Sequence, residues 1–179
     1  MRVVAGDLGG RVLRAPHGAA TRPTSEKVRE AVFAILPDVA GARVLDVFAG
    51  SGAVGIEALS RGAAHATFVD SGRAALAAIR ANLSALAVAD DRATIHAGDA
   101  IAFCRAAAQP FDLVFVDPPY ASDLAVRAVS ALPAGALAGD AVVVIEHDKR
   151  HAPPDDLGAV HRTDQRRYGD TLVSFYRLR

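Results

Sequence analysis

Asp117-Pro118-Pro119-Tyr120 places an acid, two ring-locked backbone units and an aromatic side chain in one short run. Proline fixes its own φ and restricts the residue before it, so the Asp117 carboxylate and the Pro118 carbonyl can be held rigidly as two acceptors. Two fixed acceptors suit the exocyclic amino group of a nucleobase, which offers two N–H donors. Its lone pair is delocalised into the ring, and gripping both hydrogens can turn electron density towards an electrophile. Tyr120 could stack on a base withdrawn from its helix, as chemistry on a base requires. The plain alternative is a proline-rich turn with a packed tyrosine.

A second run, Asp46-Val47-Phe48-Ala49-Gly50-Ser51-Gly52-Ala53-Val54-Gly55, has the composition of a ligand turn. Glycines let the chain reverse tightly and let a ligand press against bare backbone. Gly50-x-Gly52-x-x-Gly55 also matches the dinucleotide fingerprint, so a nicotinamide-dependent oxidoreductase is a rival reading. Asp46 helps to discriminate. A carboxylate beside the turn repels a pyrophosphate, whereas the cationic amino-acid end of S-adenosylmethionine tolerates or uses it. Asp46 could instead bond loop amides. Asp46, Phe48, Ala49, Gly50, Ser51 and Gly52 are therefore the candidate cofactor seat. Asp70 could hold ribose hydroxyls under either reading. Asp99, with Ala100 beside it, could meet the adenine amino group, cap the helix that follows, or do both. The sulfonium donor is already activated, so positioning for in-line methyl transfer suffices, with no metal and no covalent enzyme intermediate.

The elements that must carry these residues follow from the apolar pattern. Strands are predicted over 42–48, 66–69, 93–96, 111–116 and 141–146, and helices over 53–60, 74–86, 100–108 and 123–132. Strands alternating with helices imply a parallel sheet covered on both faces. Both chemical runs then fall at carboxyl ends of strands, where open sheets bind ligands. At the ends the pattern changes. Residues 2–5 and 11–14 flank Gly6-Asp7-Leu8-Gly9-Gly10, which predicts a small protruding hairpin. Thr24 or Ser25 could cap a helix through Leu36. Residues 161–167 and 172–178 flank Tyr168-Gly169-Asp170 and predict an antiparallel pair at one end of the sheet.

A chain of 179 residues fits one domain, and 51% hydrophobic content is enough to bury a core. Its apolar stretches are too short to span a bilayer, and the first residues carry no apolar h-region. Cys104 is the single cysteine, which excludes an internal disulfide framework. These features predict a soluble, cytoplasmic protein, with a monomer as the default. The net charge is zero but unevenly spread. Residues 1–36 hold six basic against three acidic groups, 37–146 seven against twelve, and 147–179 seven against five. Basic ends suit a polyanion such as RNA, although ordinary surface charge gives the same picture. Arg2, Arg11 and Arg14, on the predicted hairpin, are the RNA candidates; Arg166 and Arg167 could touch phosphate or serve only an exposed strand. His147 and His151, four apart, could share a helix face, but two histidines make an incomplete zinc site and a surface role is favoured. Cys104, on an apolar helix, is expected to be a buried hydrophobe.

Three blocks resemble the bacterial small-subunit rRNA guanine-N2 methyltransferases of the RsmD type. They are Arg2-Val3-Val4-Ala5-Gly6 through Gly10-Arg11-Val12-Leu13 with Arg22-Pro23-Thr24 and Lys27-Val28-Arg29-Glu30; Leu45 through Gly52 with Gly55, Glu57-Ala58-Leu59-Ser60-Arg61-Gly62 and Asp70; and Phe115-Val116-Asp117-Pro118-Pro119-Tyr120. Tyr168-Gly169-Asp170-Thr171 also fits. The resemblance implies a Rossmann-like class I S-adenosylmethionine-dependent methyltransferase. Its mostly parallel, seven-stranded sheet would have an antiparallel C-terminal strand. Residues 1–20 would form a β-hairpin extension towards RNA and 21–179 the methyltransferase domain. It implies methylation of the 2-amino group of one guanine, of the guanine 966 type, in 16S rRNA within the assembling or assembled 30S subunit. It also places Arg22 and Thr24 near the methionine end of S-adenosylmethionine. Two positions depart from the pattern: Asp70 stands where a longer glutamate is frequent, and the Gly6–Gly10 leader lacks an aromatic. A DNA adenine-N6 or protein glutamine amino-methyltransferase shares the turn chemistry, and a non-catalytic RNA-binding module could share the fold.

Overall fold

The apolar runs form the centre of one eight-stranded sheet in a computed structural model that describes residues 1–17, 26–119 and 123–179. The strands are β1 (Arg43–Val47), β2 (His65–Asp70), β3 (Ala93–Ala97), β4 (Phe111–Val116), β5 (Leu137–Asp148), β6 (Asp156–Leu157), β7 (Val160–Tyr168) and β8 (Thr171–Leu178). Their order across the sheet is β3-β2-β1-β4-β5-β8-β7-β6. Strands β1 to β5 are parallel, and β8, β7 and β6 run antiparallel. The sheet thus holds eight strands where seven were expected. The extra one, β6, is two residues long and pairs only with His161 and Val160, too short to leave an apolar period.

Side chains alternate across the central strands, as strand geometry dictates. Val44, Leu113, Phe115, Val142 and Val144 pack on one face. Leu45, Val47, Val114, Val116, Val143 and Ile145 pack on the other. Burying one such side chain stabilises the fold by roughly 1.5–3 kcal/mol. Helices α1 (Glu26–Ile35), α2 (Ala53–Ser60) and α3 (Arg73–Ala85) cover the first face through Val32, Ile56 and Ile79. Helices α4 (Ala100–Ala106) and α5 (Leu124–Ala131) cover the second through Ile101, Cys104 and Val129. Cys104 is 1% exposed, as expected of a small hydrophobe, and burial pushes its thiol up to about 12. The helices change face between β1 and β4, so the winding reverses there and a crevice opens beyond their carboxyl ends.

The N-terminal segment turns back on itself as expected, with Arg2 bridged to Val12. It does not stand clear of the body. Val3 and Leu13 are buried in the first core face. The Val4 and Ala5 amides donate to the Glu57 carboxylate of α2 at 2.7 and 3.0 Å. Ser60 accepts the Asp7 and Leu8 amides. Gly6 sits at φ 81°, and a Cβ there would lie 1.9 Å from the Ser60 carbonyl oxygen, so no other residue fits this docking. Glu57 also pairs with Arg29 of α1 at 3.3 Å and with Arg61 at 2.8 Å. Arg29 and Glu57 are both fully buried, and removing one partner of such a pair costs about 3–5 kcal/mol. Among the described residues no helix is long and apolar enough to cross a membrane.

Candidate active site

The crevice at the reversal point is a cavity of about 600 Å³, a size ordinary for a small-molecule site. Its floor is the turn from β1 into α2. Gly52 caps α2 at φ 77° with no side-chain bond of its own. The cap is supplied from β1: the Asp46 carboxylate accepts the Gly55 amide at 2.9 Å. Gly55 is required by contact, since a Cβ there would sit 2.3 Å from Cε1 of Phe68. Phe48 is held at φ 61°, a left-handed conformation rare for a bulky side chain and of the kind that gathers at ligand sites.

Two further residues, Asp70 and Asn82, fix this turn through Gly50 and Ser51. Asp70, at the end of β2, accepts the Gly50 amide at 2.9 Å and the Gly72 amide at 2.7 Å. Asn82 of α3 donates to the Ser51 carbonyl at 2.9 Å and to the Arg14 carbonyl at 3.0 Å, while accepting the Arg14 amide. Burial pushes the Asp46 carboxyl up to about 7; the Gly55 amide opposes this, Asp70 adds to it and Arg29 opposes it. Asp99 caps α4 by accepting the Ala102 amide at 2.7 Å and also faces the cavity.

The Asp117-Pro118-Pro119 turn leaves β4 directly beside the glycine turn. Val47 and Val116 are register partners, and the Asp117 amide donates to the Val47 carbonyl at 3.4 Å. Asp117, Pro118 and Pro119 line the same cavity as Asp46, Phe48, Ala49, Gly50 and Ser51. A rigid acceptor turn therefore opens onto a bare-backbone turn across one cavity, an arrangement suited to presenting an amino group to a seated donor.

A family model described as "Conserved hypothetical protein 95" matches residues 1–177. The protein YlbH of Bacillus subtilis is 39% identical over 100% of both chains. Ribosomal RNA small subunit methyltransferase D of Escherichia coli is 36% identical over 156 residues, which cover 86% of this chain and 78% of that one. The chain belongs to this family. It is thereby a member of the RsmD family that the sequence blocks resemble. The solved structure of yhhF from Escherichia coli superposes with a TM-score of 0.85 at 33% identity, covering 99% of this chain and 97% of that one.

Within this RsmD-family fold, Asp46, Phe48, Ala49, Gly50, Ser51, Asp70, Asp99, Ala100, Asp117, Pro118 and Pro119 come together on the cavity wall. Gly52 sits just behind them as the cap of α2. Arg22, Thr24 and Tyr120 lie outside the described residues. Arg2 and Arg11 spend a guanidinium nitrogen on the Gly10 and Ala85 carbonyls. Arg14 is exposed and precedes Ala15 and Pro16, which line the cavity. Arg166 pairs with Asp164, and Arg167 donates to the Gly169 carbonyl.

Several lining residues carry no motif in the sequence: Met1, Ala15 and Pro16 from the N-terminal segment, and Glu146, His147, Asp148 and His151 from the far side. The two histidines do not share a helix. Strand β5 runs through Asp148, whose carboxylate accepts the Arg150 and His151 amides and winds the next three residues into a 3-10 turn. His147 is half-buried and bonds Ser174 Oγ and the Asp148 carbonyl, both at 2.9 Å. Burial holds its imidazole below the usual range, with the Asp148 carbonyl partly opposing. Asp170, in the turn between β7 and β8, and Thr171, the first residue of β8, also line the cavity; in the sequence the Tyr168-Gly169-Asp170 run reads only as a strand-pair turn and as part of the resemblance.

Proposed function

We propose that this chain is a small-subunit rRNA methyltransferase that uses S-adenosylmethionine to methylate the exocyclic 2-amino group of one guanine, of the guanine 966 type, in 16S rRNA. One observation carries the reading. The Asp117-Pro118-Pro119 turn opens onto the same cavity as the glycine turn, on the neighbouring strand and in register with it. The RNA substrate rests on the family and on its small-subunit methyltransferase relatives.

The cavity fits the cofactor in size and in chemistry. Phe48, Ala49, Gly50, Ser51 and Gly52 would present backbone to it, Asp46 a carboxylate to its cationic end, Asp70 its acid to ribose, and Asp99 with Ala100 the adenine edge. Arg22 and Thr24 are assigned to the methionine end. When bound, S-adenosylmethionine supplies an electrophilic methyl on a sulfonium. The protein's part is to hold the acceptor. The Asp117 carboxylate and the Pro118 carbonyl take the two N–H bonds of the guanine amino group, and Pro119 keeps that pair of oxygens fixed. Tyr120 stacks on the extruded base. Residues 1–20, with Arg2, Arg11 and Arg14, form the RNA-contacting extension to a domain of residues 21–179. The setting is the cytoplasm, on the assembling or assembled 30S subunit, and the protein acts as a monomer.

Purified protein, labelled S-adenosylmethionine and small subunits lacking the modification test this directly. Label should appear on the 2-amino group of a single guanine in 16S rRNA by mass mapping. Absence of label from 16S rRNA would overturn the reading.

A further inference from the structure

We propose that the turn Lys149–His151 is a second RNA-contacting element, in which Lys149 and Arg150 take phosphates flanking the nucleotide that enters the cavity. This rests on the rRNA reading above and goes beyond it, since the sequence named Arg2, Arg11, Arg14, Arg166 and Arg167 as candidates for RNA or phosphate contact and none in this turn.

The first observation is which cations are committed. Seven basic side chains follow residue 147. Arg162, Arg166 and Arg179 pair with Asp155, Asp164 and Asp156. Arg167 and Arg177 donate to the Gly169 and Asp140 carbonyls. Lys149 and Arg150 are exposed, and neither side chain has a bonded partner among the described residues. A cation already tied within the protein loses those bonds on meeting a phosphate, whereas these two have nothing to give up.

The second observation is rigidity. Oδ1 of Asp148 accepts the Arg150 amide at 2.7 Å, the His151 amide at 2.9 Å and the His151 ring nitrogen at 2.9 Å. The acid is turned to these inward bonds, and the His151 ring holds its carboxyl below the usual carboxylate range. The turn is therefore set before RNA arrives, which reduces the ordering cost of binding.

The third observation is place. Asp148 and His151, immediately before and after the two cations, both line the cavity. Ala15 and Pro16 of the N-terminal segment line it too, next to the exposed Arg14. Exposed cations thus adjoin two separate stretches of the cavity lining. Backbone on both sides of an extruded nucleotide is the polyanion that such a pair of walls fits, and phosphate contacts are what position a protein on nucleic acid.

The test compares wild type with K149A/R150A and with K149R/R150K on small subunits lacking the modification. K149A/R150A should raise the KM for RNA roughly ten-fold near physiological salt and flatten the log–log salt dependence of RNA binding by about 1.5, the release expected from two phosphates. The affinity for S-adenosylmethionine by calorimetry and the melting temperature should not move, because both side chains are exposed. K149R/R150K should keep the wild-type KM and slope. An unchanged KM and salt slope in an active K149A/R150A overturns the inference and leaves the proposed function standing. If wild type itself labels no 16S rRNA, the proposed function falls. RNA binding alone then decides the inference: equal affinity and slope for wild type and K149A/R150A overturn it.

Discussion

After β1 the chain turns on glycine and is held by carboxylates and an amide from elsewhere; after β4 it turns on two proline rings, with the Asp117 amide tied to the Val47 carbonyl. The first turn borrows Asp46 from its strand, Asp70 from the next strand and Asn82 from α3. The second takes its stiffness from Pro118 and Pro119. The buried Asp46 carboxyl makes the first support sensitive to protonation, while pyrrolidine rings do not titrate. The difference suits the work assigned to each. A cofactor seat must expose backbone, so its rigidity has to arrive from outside. An acceptor pair must present its own oxygens at a fixed angle, so its rigidity has to be intrinsic.

The largest effect should come from removing the acceptor while sparing the seat. Asp117→Ala should lower kcat by about a hundred- to a thousand-fold, the range seen when one oriented polar group is lost from a transition state, with S-adenosylmethionine affinity changed by less than about three-fold. Labelled transfer and calorimetry read the two sides separately. Wild-type turnover in this variant would remove Asp117 from the chemistry.

Acid–base titration should disturb the first turn through Asp46. Asp46 has a carboxyl raised from 3.8 to about 7 by burial, so between those values the folded chain binds more protons than the unfolded one. Its contribution to stability is complete below pH 3.8 and is lost as pH rises through about 7. Asp46→Asn, which keeps an acceptor for Gly55, should therefore stabilise the cofactor-free protein at pH 8 by a few kcal/mol and weaken S-adenosylmethionine binding. Denaturant titrations at pH 5 and pH 8 check this; equal gains at both pH values would show that the charge is not the cause.

A steric change comes next. Gly55→Ala pushes a methyl into the Phe68 ring, and overpacking of this kind costs about 1–3 kcal/mol. Melting temperature and cofactor affinity should fall together. The smallest effect is expected of Pro118→Ala, which keeps the carbonyl but frees the turn. It should reduce kcat by roughly ten-fold, the worth of about 1.4 kcal/mol of positioning, and leave the pH dependence of stability unaltered. A shifted pH profile in that variant would break the contrast between the two supports.

Both turns were legible in the sequence because they are local. The strand Phe111–Val116 and the helix Ala53–Ser60 fall on their predicted bounds, each delimited by its own punctuation, Asp-Pro-Pro in one case and Gly-x-Gly in the other. What escaped depends on distant partners. The docking of residues 3–8 depends on Glu57 and Ser60, more than fifty positions away, so an apparent free hairpin is seated on α2. The histidine spacing suggested a helix because four residues make about one turn, yet the β-branched run of β5 carries through Asp148 and leaves the two rings on a strand and a tight turn. Strand β5 itself extends on both sides of its apolar centre: it starts at Leu137, paired with Phe111, shifts register before Val142 and runs on to Asp148. Part of the cavity wall was missed for the same reason: Glu146 and His147 belong to β5, and only the fold brings them to the same cavity as the N-terminal segment.

Asn82 acts as a strut with one amide. It grips Arg14 through both its oxygen and its nitrogen, and the same nitrogen reaches Ser51. The arm assigned to RNA and the floor assigned to the cofactor therefore share a single fastening. By thermodynamic reciprocity, any factor by which a loaded floor raises the affinity for RNA is the factor by which bound RNA raises the affinity for the cofactor.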